Sequence, residues 1–318
     1  MTRELLFIID PLAGLKPAKD STLAMMHAAQ QAGHRVHICE ISHLALADGT
    51  VRATVQVAEP DPAQSSGWRT GGAQSRSLDD FDAVLMRKDP PVDTDFLMAT
   101  QLLSLAESRG ARIFNRPAAL RDWNEKLGIF RFADFITATC VSSRKSEIDR
   151  FLREQGDIIV KPLNAMGGEG IFRLTEADPN RNAVIETLTA HGRHAIMAQR
   201  YLPAIREGDK RILLVDGEPL PYALARIPIA GETRGNLAAG GRGVAQALSA
   251  RDREIAMTVG REVRQHGLFL VGLDVIGEHL TEVNVTSPTG FREITAQTGY
   301  DVAAHFITAL ERACPASA

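Results

Sequence analysis

Near the C-terminus, two carboxylates and an amide, Asp274, Glu282 and Asn284, are the residues of this chain best suited to hold a hard cation. They lie within LDVIGEHLTEVNVTSPTGFREI (Leu273 to Ile294), on two short apolar runs joined by a tight Gly277-Glu278 turn. Side chains alternate along a strand, so Glu282 and Asn284 share one face and Asp274 reaches that face from the preceding strand. Such a set suits Mg2+, which takes one or two carboxylates, keeps its waters and completes its octahedron with substrate phosphates. The spacing therefore points to a nucleotide. It also fits an ordinary hairpin carrying solvated acids.

Upstream, Asp157-Ile158-Ile159-Val160 runs into Lys161-Pro162, and Met166-Gly167-Gly168-Glu169-Gly170-Ile171-Phe172 follows three residues later. This reads as strand, flexible loop, strand. Glycines let the backbone approach a phosphate and turn successive N–H groups toward one anion, and the lysine adds a point charge. The pattern is neither a Walker loop, which needs G-x-x-x-x-G-K-[ST] leading into a helix, nor a dinucleotide-binding G-x-G-x-x-G. A glycine-rich hairpin with no ligand fits the same residues.

Both pieces stand in one order with Asn124-Glu125-Lys126, Asp209-Lys210-Arg211 and Leu224-Ala225-Arg226-Ile227-Pro228. The arrangement resembles the ATP-grasp ligases, and particular strings resemble the prokaryotic-type glutathione synthetases. Those strings are IDPLAGLKPAKDST (Ile9 to Thr22), MRKDPPVDTDF (Met86 to Phe96), NRPAALRDWNEK (Asn115 to Lys126), GDKRILLVDGEPLPYALARIP (Gly208 to Pro228), GETRGNLAAGGRG (Gly231 to Gly243) and VGLDVIGEHLTEVNVTSPTGFREI (Val271 to Ile294). They span nearly the whole chain. One departure is Asn164-Ala165, where such proteins usually carry Asp-Gly; it bears on how the loop closes over ATP.

The resemblance implies an α/β N-terminal domain of parallel-sheet type over residues 1–123. A two-lobed ATP-grasp fold would follow, with a central lobe over 124–202 carrying the glycine-rich loop and a C-terminal lobe over 203–318 carrying the metal site. It also implies a reaction. ATP phosphorylates the cysteinyl carboxylate of γ-glutamylcysteine, and the amine of glycine attacks the acyl phosphate to give glutathione, ADP and phosphate. The implied cofactors are ATP and Mg2+, with Mn2+ as a substitute, and the implied assembly is a homotetramer. For the nucleotide, Lys126 and Lys161 take the phosphates under the loop of Met166, Gly167, Gly168 and Gly170, while Gln199, Tyr201 and Leu202 hold the adenine and Asp209 joins them. Arg211 and Arg226 face the reacting carboxylate, where a planar fork of donors stabilises oxyanion charge better than lysine does. Each also fits a solvated strand arginine. The glycine-rich segment around 227–243 reads as a lid with Arg234, Asn236 and Arg242 turned to the substrate, since an acyl phosphate must be shielded from water. Arg87 and the turn Ser287, Pro288, Thr289 and Gly290 are candidates for the dipeptide, although Arg87 could instead pair with Asp89.

Positioning these groups takes a chain of this length and make-up. With 318 residues, 44% hydrophobic and 5% aromatic, it has material for two or three units with real cores. A net charge of -3 from 36 basic and 39 acidic residues gives no electrostatic case for nucleic acid or membrane. No run is long enough to cross a bilayer, and the start reads as a first strand rather than a signal peptide. Cys39, Cys140 and Cys314 lack metal-like spacing and their odd count suits a reducing compartment, so the expected location is cytoplasmic. His191 and His194 read as a surface turn with no zinc spacing.

Strand and helix alternate first: a strand over Glu4 to Asp10, a helix over Thr22 to Gln31, a strand over Arg35 to Ile41, then Ala83 to Arg87, a helix over Thr94 to Ser108 and a strand over Arg112 to Asn115. Asp48-Gly49 marks a hairpin, and Glu59 to Ser77, rich in Pro, Gly, Ser and Gln, reads as a surface loop. From Asn124 onward hairpins dominate, with Asp216-Gly217 between Arg211 to Val215 and Leu220 to Ile227. Helices over Ser146 to Gln155, Arg181 to Thr189 and Asp252 to His266 cover them, giving an α+β region. Three functions fit this layout: the glutathione-forming ligase, another carboxylate-amine ligase such as one joining D-alanines or extending a peptide, and a nucleotide-binding protein without catalysis.

Overall fold

A computed structural model describes residues 1–229, 231–232, 234–235 and 240–314. The N-terminal region begins with β1 (Glu4–Ile8), α1 (Ser21–Gln31) and β2 (Arg35–Cys39), then β3 (Leu44–Ala47), β4 (Thr50–Pro60), β5 (Trp68–Thr70) and β6 (Gln74–Ser77), and closes with β7 (Ala83–Met86), α2 (Thr94–Glu107), β8 (Ile113–Phe114) and α3 (Pro117–Asp122). Its helices start where a short side chain can accept an otherwise unpaired N–H: Asp20 accepts from Leu23 N, and Asp93 from Phe96 N. Strands β2, β1, β7 and β8 lie parallel in that order, as expected of alternating strands and helices.

That parallel core is extended on one side, where β4 adds to β2 antiparallel and itself carries β3, β5 and β6. One expectation needs correction: the stretch from Glu59 to Ser77 is not a plain loop, since Trp68 pairs with Pro60 and Ser75 with Thr54. Its polar composition conceals the pairing, and only Trp68, 6% exposed, gives it an apolar anchor. Asp48-Gly49 does turn the β3–β4 hairpin, both residues at positive φ as a two-residue turn of type I′ requires.

The central region holds β9 (Thr139–Ser142), α4 (Lys145–Gln155), β10 (Asp157–Pro162), β11 (Phe172–Thr175), α5 (Arg181–Leu188) and β12 (Ile196–Arg200). Its antiparallel sheet runs β11-β10-β12-β9. The C-terminal region holds β13 (Asp209–Val215), β14 (Glu218–Ile227), β15 (Arg242–Ala247), α6 (Ala250–Gln265), β16 (Leu270–Ile276), β17 (His279–Asn284), α7 (Phe291–Thr298) and α8 (Val302–Ala313). A second antiparallel sheet runs β15-β14-β13-β16-β17.

Burial divides the molecule. Along β1, Leu6 and Ile8 enter one apolar cluster while Leu5 and Phe7 enter another, so both faces of the strand are covered. Strand β13 splits the same way, Ile212 and Leu214 against Leu213 and Val215, and both clusters are shared between the N- and C-terminal regions. The central sheet instead packs its own cluster, in which Ile148, Phe151 and Leu152 of α4 meet Ile158, Val160, Ile185 and Ile196. This lobe therefore has a core of its own, while Met197 on the opposite face of β12 joins the cluster shared by the other two regions. None of the described helices is long and apolar enough to cross a membrane.

Candidate functional site

Register places the charges of the C-terminal sheet. Asp209 and Arg211, two apart on β13, point to one face, and their cross-strand partners are Arg226 on β14 and Asp274 on β16. The result is a square of two guanidinium groups and two carboxylates, joined along three of its sides. Arg211 Nε donates to Asp274 Oδ1 at 2.6 Å and its Nη2 to Asp274 Oδ2 at 3.1 Å. Arg226 Nη2 donates to Asp209 Oδ2 at 2.5 Å and reaches Asp274 Oδ2 at 2.8 Å. Arg211, Arg226 and Asp274 are all less than 9% exposed, so these charges balance one another with little help from water.

The two acids differ. Burial alone would raise Asp274, but Arg211 and Arg226 bind its charged form from both sides and hold it well below the usual carboxylate range. Burial pushes Asp209 up to about 6, against the pull of Arg226 and with Asp274 adding repulsion. Its Oδ1 is buried and has no hydrogen-bond partner among the described residues.

A bulge shapes the next strand pair. Asp274 stands opposite Glu282, while Val275 pairs with Leu280, so Thr281 is the extra residue and its Oγ1 donates to Asp274 O at 3.1 Å. The bulge turns Glu282 toward the central lobe, where Lys126 Nζ meets its Oε1 at 2.8 Å. Asn284 donates its amide to Gly272 O at 3.1 Å, which leaves the side-chain carbonyl as the available ligand. The sequence reading had all three proposed metal ligands converging. Glu282 and Asn284 do line a common cleft, whereas Asp274 sits behind the arginine pair. Among the described residues no three acids, histidines or cysteines gather as a metal cluster. The donor set that faces the cleft, one carboxylate and one amide oxygen, has the hard chemistry a phosphate-bound Mg2+ would need.

Two clefts meet at this wall. The first, of about 850 Å³ including its open mouth, lies between the central and C-terminal sheets. Lys126, Lys161, Met166, Gly167, Gly168, Gln199, Tyr201, Leu202, Asp209 and Arg234 all line it, so the residues assigned to a nucleotide are gathered in one place; Gly170 lies just outside. Lys161 Nζ donates to Thr281 O at 3.2 Å, and burial pushes its ammonium below the ordinary lysine value despite the nearby Glu282. Gln199 is anchored by its Nε2 on Thr139 Oγ1 at 3.2 Å. The Tyr201 ring carries the Arg173 guanidinium 3.8 Å from its centroid. Asn164 is exposed, and Lys126 Nζ holds the loop through the main-chain oxygen of Ala165 at 2.8 Å. That contact runs through the main chain, so it does not depend on the side chains at Asn164 and Ala165.

The second cleft, about 930 Å³, is bounded by Arg211, Arg226, Glu282, Asn284 and the turn Ser287, Pro288 and Thr289, and from the N-terminal region by Asp89 and Pro90. Met166, Gly167 and Glu282 line both clefts, which are therefore continuous. Gly290 caps α7 behind the turn at φ 115°. Arg87 is absent from the lining. Its Nε donates to Thr22 Oγ1 at 3.1 Å and its Nη2 to Pro288 O at 3.1 Å, so it braces the turn from behind rather than pairing with Asp89.

Arg234 reaches across from the segment after β14 to the glycine-rich loop, its Nη1 3.3 Å from Gly168 O, while its Nη2 pairs with Glu232. Asn236 lies outside the described residues. Arg242 begins β15 opposite Ile227 and is exposed at the sheet edge. Sequence reasoning left Glu125 without a role, although it stands between Asn124 and Lys126 in a string already singled out. Its main-chain oxygen accepts from Val283 N at 2.8 Å, and its Oε1 accepts from Val285 N, Thr286 N and Thr286 Oγ1 at 2.9, 3.1 and 2.8 Å. Burial raises this carboxyl, and Glu282 adds to the effect. It fixes the end of β17 against Lys126.

Comparison with known proteins gives a consistent picture. Residues 4–121 match the model of the prokaryotic glutathione synthetase N-terminal domain, and residues 125–299 match the prokaryotic glutathione synthetase ATP-grasp domain. The chain is 55% identical over 313 residues to a glutathione synthetase of Bordetella pertussis, covering 97% of this chain and 98% of that one. It is 53% identical over 311 residues to a glutathione synthetase of Neisseria meningitidis serogroup B, covering 96% and 98%. In fold it is similar to D-cycloserine synthetase DcsG, with a TM-score of 0.68 at 14% identity, over 98% of this chain and 100% of that one.

Proposed function

The chain belongs to the prokaryotic glutathione synthetase family, and from that membership we propose that the two joined clefts carry out its ATP-dependent ligation with the residues assigned below. The activity is glutathione synthesis from γ-glutamylcysteine, glycine and ATP. The observation that carries the assignment is the continuity of the clefts at Met166, Gly167 and Glu282, which lets a phosphate lying in one meet a carboxylate lying in the other.

In this reading the adenine sits against Gln199, Tyr201 and Leu202, and Asp209 offers its unpartnered Oδ1 to the ribose. Lys126 and Lys161 neutralise the phosphates beneath the Met166–Gly168 backbone. The family uses a divalent metal with ATP, and magnesium would be held by Glu282 and Asn284, with Asp274 joining as its arginines turn to the substrate. When bound, the ion withdraws charge from the transferring phosphoryl group.

The cysteinyl carboxylate lies against Arg211 and Arg226. Its oxygen attacks the γ-phosphorus, the bond to the β-phosphate oxygen breaks, and ADP leaves. The glycine amine then adds to the acyl carbon, the oxyanion that develops is met by the same two guanidinium groups, and inorganic phosphate departs as the amine loses a proton. No protein nucleophile is needed, because the work is positioning and charge neutralisation. Arg234, tied to Gly168, closes the glycine-rich loop over the intermediate.

The lobes assigned are 1–123, 124–202 and 203–318, and the quaternary state is a homotetramer, which sedimentation analysis tests. A cytoplasmic location is supported by three free cysteines. The activity test is phosphate release from Mg-ATP, expected to be fast only with γ-glutamylcysteine and glycine together. Equal release with D-alanine in place of glycine, or with no amine, would reject the substrate assignment.

A further inference from the structure

The dipeptide of this reaction carries two carboxylates and one ammonium group, and only one carboxylate reacts. With Arg211 and Arg226 occupied by the reacting end, the ammonium needs an acceptor elsewhere in the same cleft. Three carboxylates line that cleft: Asp89, Glu125 and Glu282. Glu282 is paired with Lys126 and faces the nucleotide. Glu125 spends Oε1 on three donors of the chain beyond β17. Asp89 differs from both, since its one described side-chain contact is a hydrogen bond that Oδ1 accepts from Ser287 Oγ.

The cations beside Asp89 are already committed. Lys88 Nζ pairs with Asp10 Oδ1 at 2.8 Å and donates to the main-chain oxygen of Asp89 at 2.8 Å. Arg87 donates to Thr22 and to Pro288 O. The backbone is fixed as well, with Asp89 N donating to Asp10 Oδ2 at 2.8 Å. Asp89 is thus a carboxylate held rigidly by its main chain, half-buried on the N-terminal wall, facing a cleft whose opposite wall holds the paired arginines. Burial raises it above the ordinary aspartate value, against the pull of the Ser287 hydroxyl and of Arg87.

We infer that Asp89, seconded by Ser287, is the subsite for the α-ammonium group of the γ-glutamyl residue, and so the determinant by which this chain selects an aminated acyl donor. The inference rests on the ligase reading above. It moves the N-terminal region's substrate contact from Arg87 to a residue two positions on.

The test compares γ-glutamylcysteine with N-glutarylcysteine, the same molecule with hydrogen in place of the amino group, at saturating Mg-ATP and glycine. Wild-type protein is expected to favour the aminated donor in kcat/KM on the order of 10²-fold, because the analogue leaves a buried acceptor unpaired. Asp89→Asn should lose most of its efficiency with γ-glutamylcysteine, chiefly through KM, and keep that with N-glutarylcysteine within about threefold, so the preference collapses. An equal fall on both donors would mark a structural role and overturn the assignment. So would a wild-type enzyme indifferent to the amino group, a result that stands even if the variant fails to fold. Turnover of neither donor by the wild type would instead refute the ligase reading and the subsite with it.

Discussion

Replacing Asp274 by asparagine probes the charge square at the centre of the site. In the wild type two guanidinium groups face two carboxylates, Arg211 and Arg226 against Asp209 and Asp274, and the buried set is neutral. The substitution keeps the shape, removes one anion and leaves a net positive charge in a place with little water. Breaking a buried pair in this way costs about 3 to 5 kcal/mol, most of it from the stranded charge rather than the lost bond. At roughly 2 °C per kcal/mol for a chain of this size, the ligand-free melting midpoint should fall by at least about 6 °C. Adding Arg211→Met to the same variant restores neutrality and should recover a good part of that loss, a non-additivity measurable as a double-mutant cycle. The two roles given to Asp274 separate here, because the double variant reports on charge balance alone. Phosphate release titrated with Mg2+ at fixed ATP should show a higher metal requirement in the single variant, which keeps Arg211. A single variant that melts with the wild type would refute the claim that the square is balanced by burial. Wild-type metal dependence would remove Asp274 from the ligands.

Three further outcomes follow from other parts of the structure. Gly260 of α6 packs so closely on the Asp216-Gly217 turn that an added Cβ would lie 2.0 Å from Gly217 O, so Gly260→Ala should lower stability by about 3 kcal/mol. A urea midpoint unchanged from the wild type would contradict that packing. Asp209 has its folded value raised to about 6, so its proton binds the folded state more tightly. Its stabilising contribution is complete below the unfolded value near 4 and is lost as pH rises through about 6. Thermal melts from pH 5 to 7.5 should show the wild type losing ground to Asp209→Asn across that range, and parallel curves would rule it out. Arg234→Ala cuts the link from the segment after β14 to Gly168 O without touching a core, so melting should be unchanged while more phosphate is released per glutathione formed. A one-to-one ratio in the variant would show that the link does not shield the intermediate.

Much of the site was legible in residue order. The Asp216-Gly217 and Gly277-Glu278 turns, the apolar runs of β13 and β16, and the Lys161 strand leading into a glycine loop are all short-range features, and the structure builds each of them. The gathering of Lys126, Lys161, Gln199 and Tyr201 in one cleft was carried by family likeness, since no local pattern spans the 75 residues from the first to the last of them. What went unseen were residues with ordinary neighbours. Nothing in MRKDPPVDTDF or WNEK says that Asp89 has no ion pair among the described residues while Glu125 accepts three donors from beyond residue 284. The strands inside Glu59 to Ser77 were missed because their polar side chains leave no period to read, and β4 supplies the pairing.

By itself, the sequence determined most of the element types and the hairpin turns, because those depend on backbone preference and on neighbours within a few residues. Tertiary structure alone decided the partners of the charges: that Asp274 lies across from Arg211, 63 positions earlier, and that a bulge at Thr281 sends Glu282 to Lys126 instead. A charge finds its partner through strand register and burial, and both are set by how whole sheets pack.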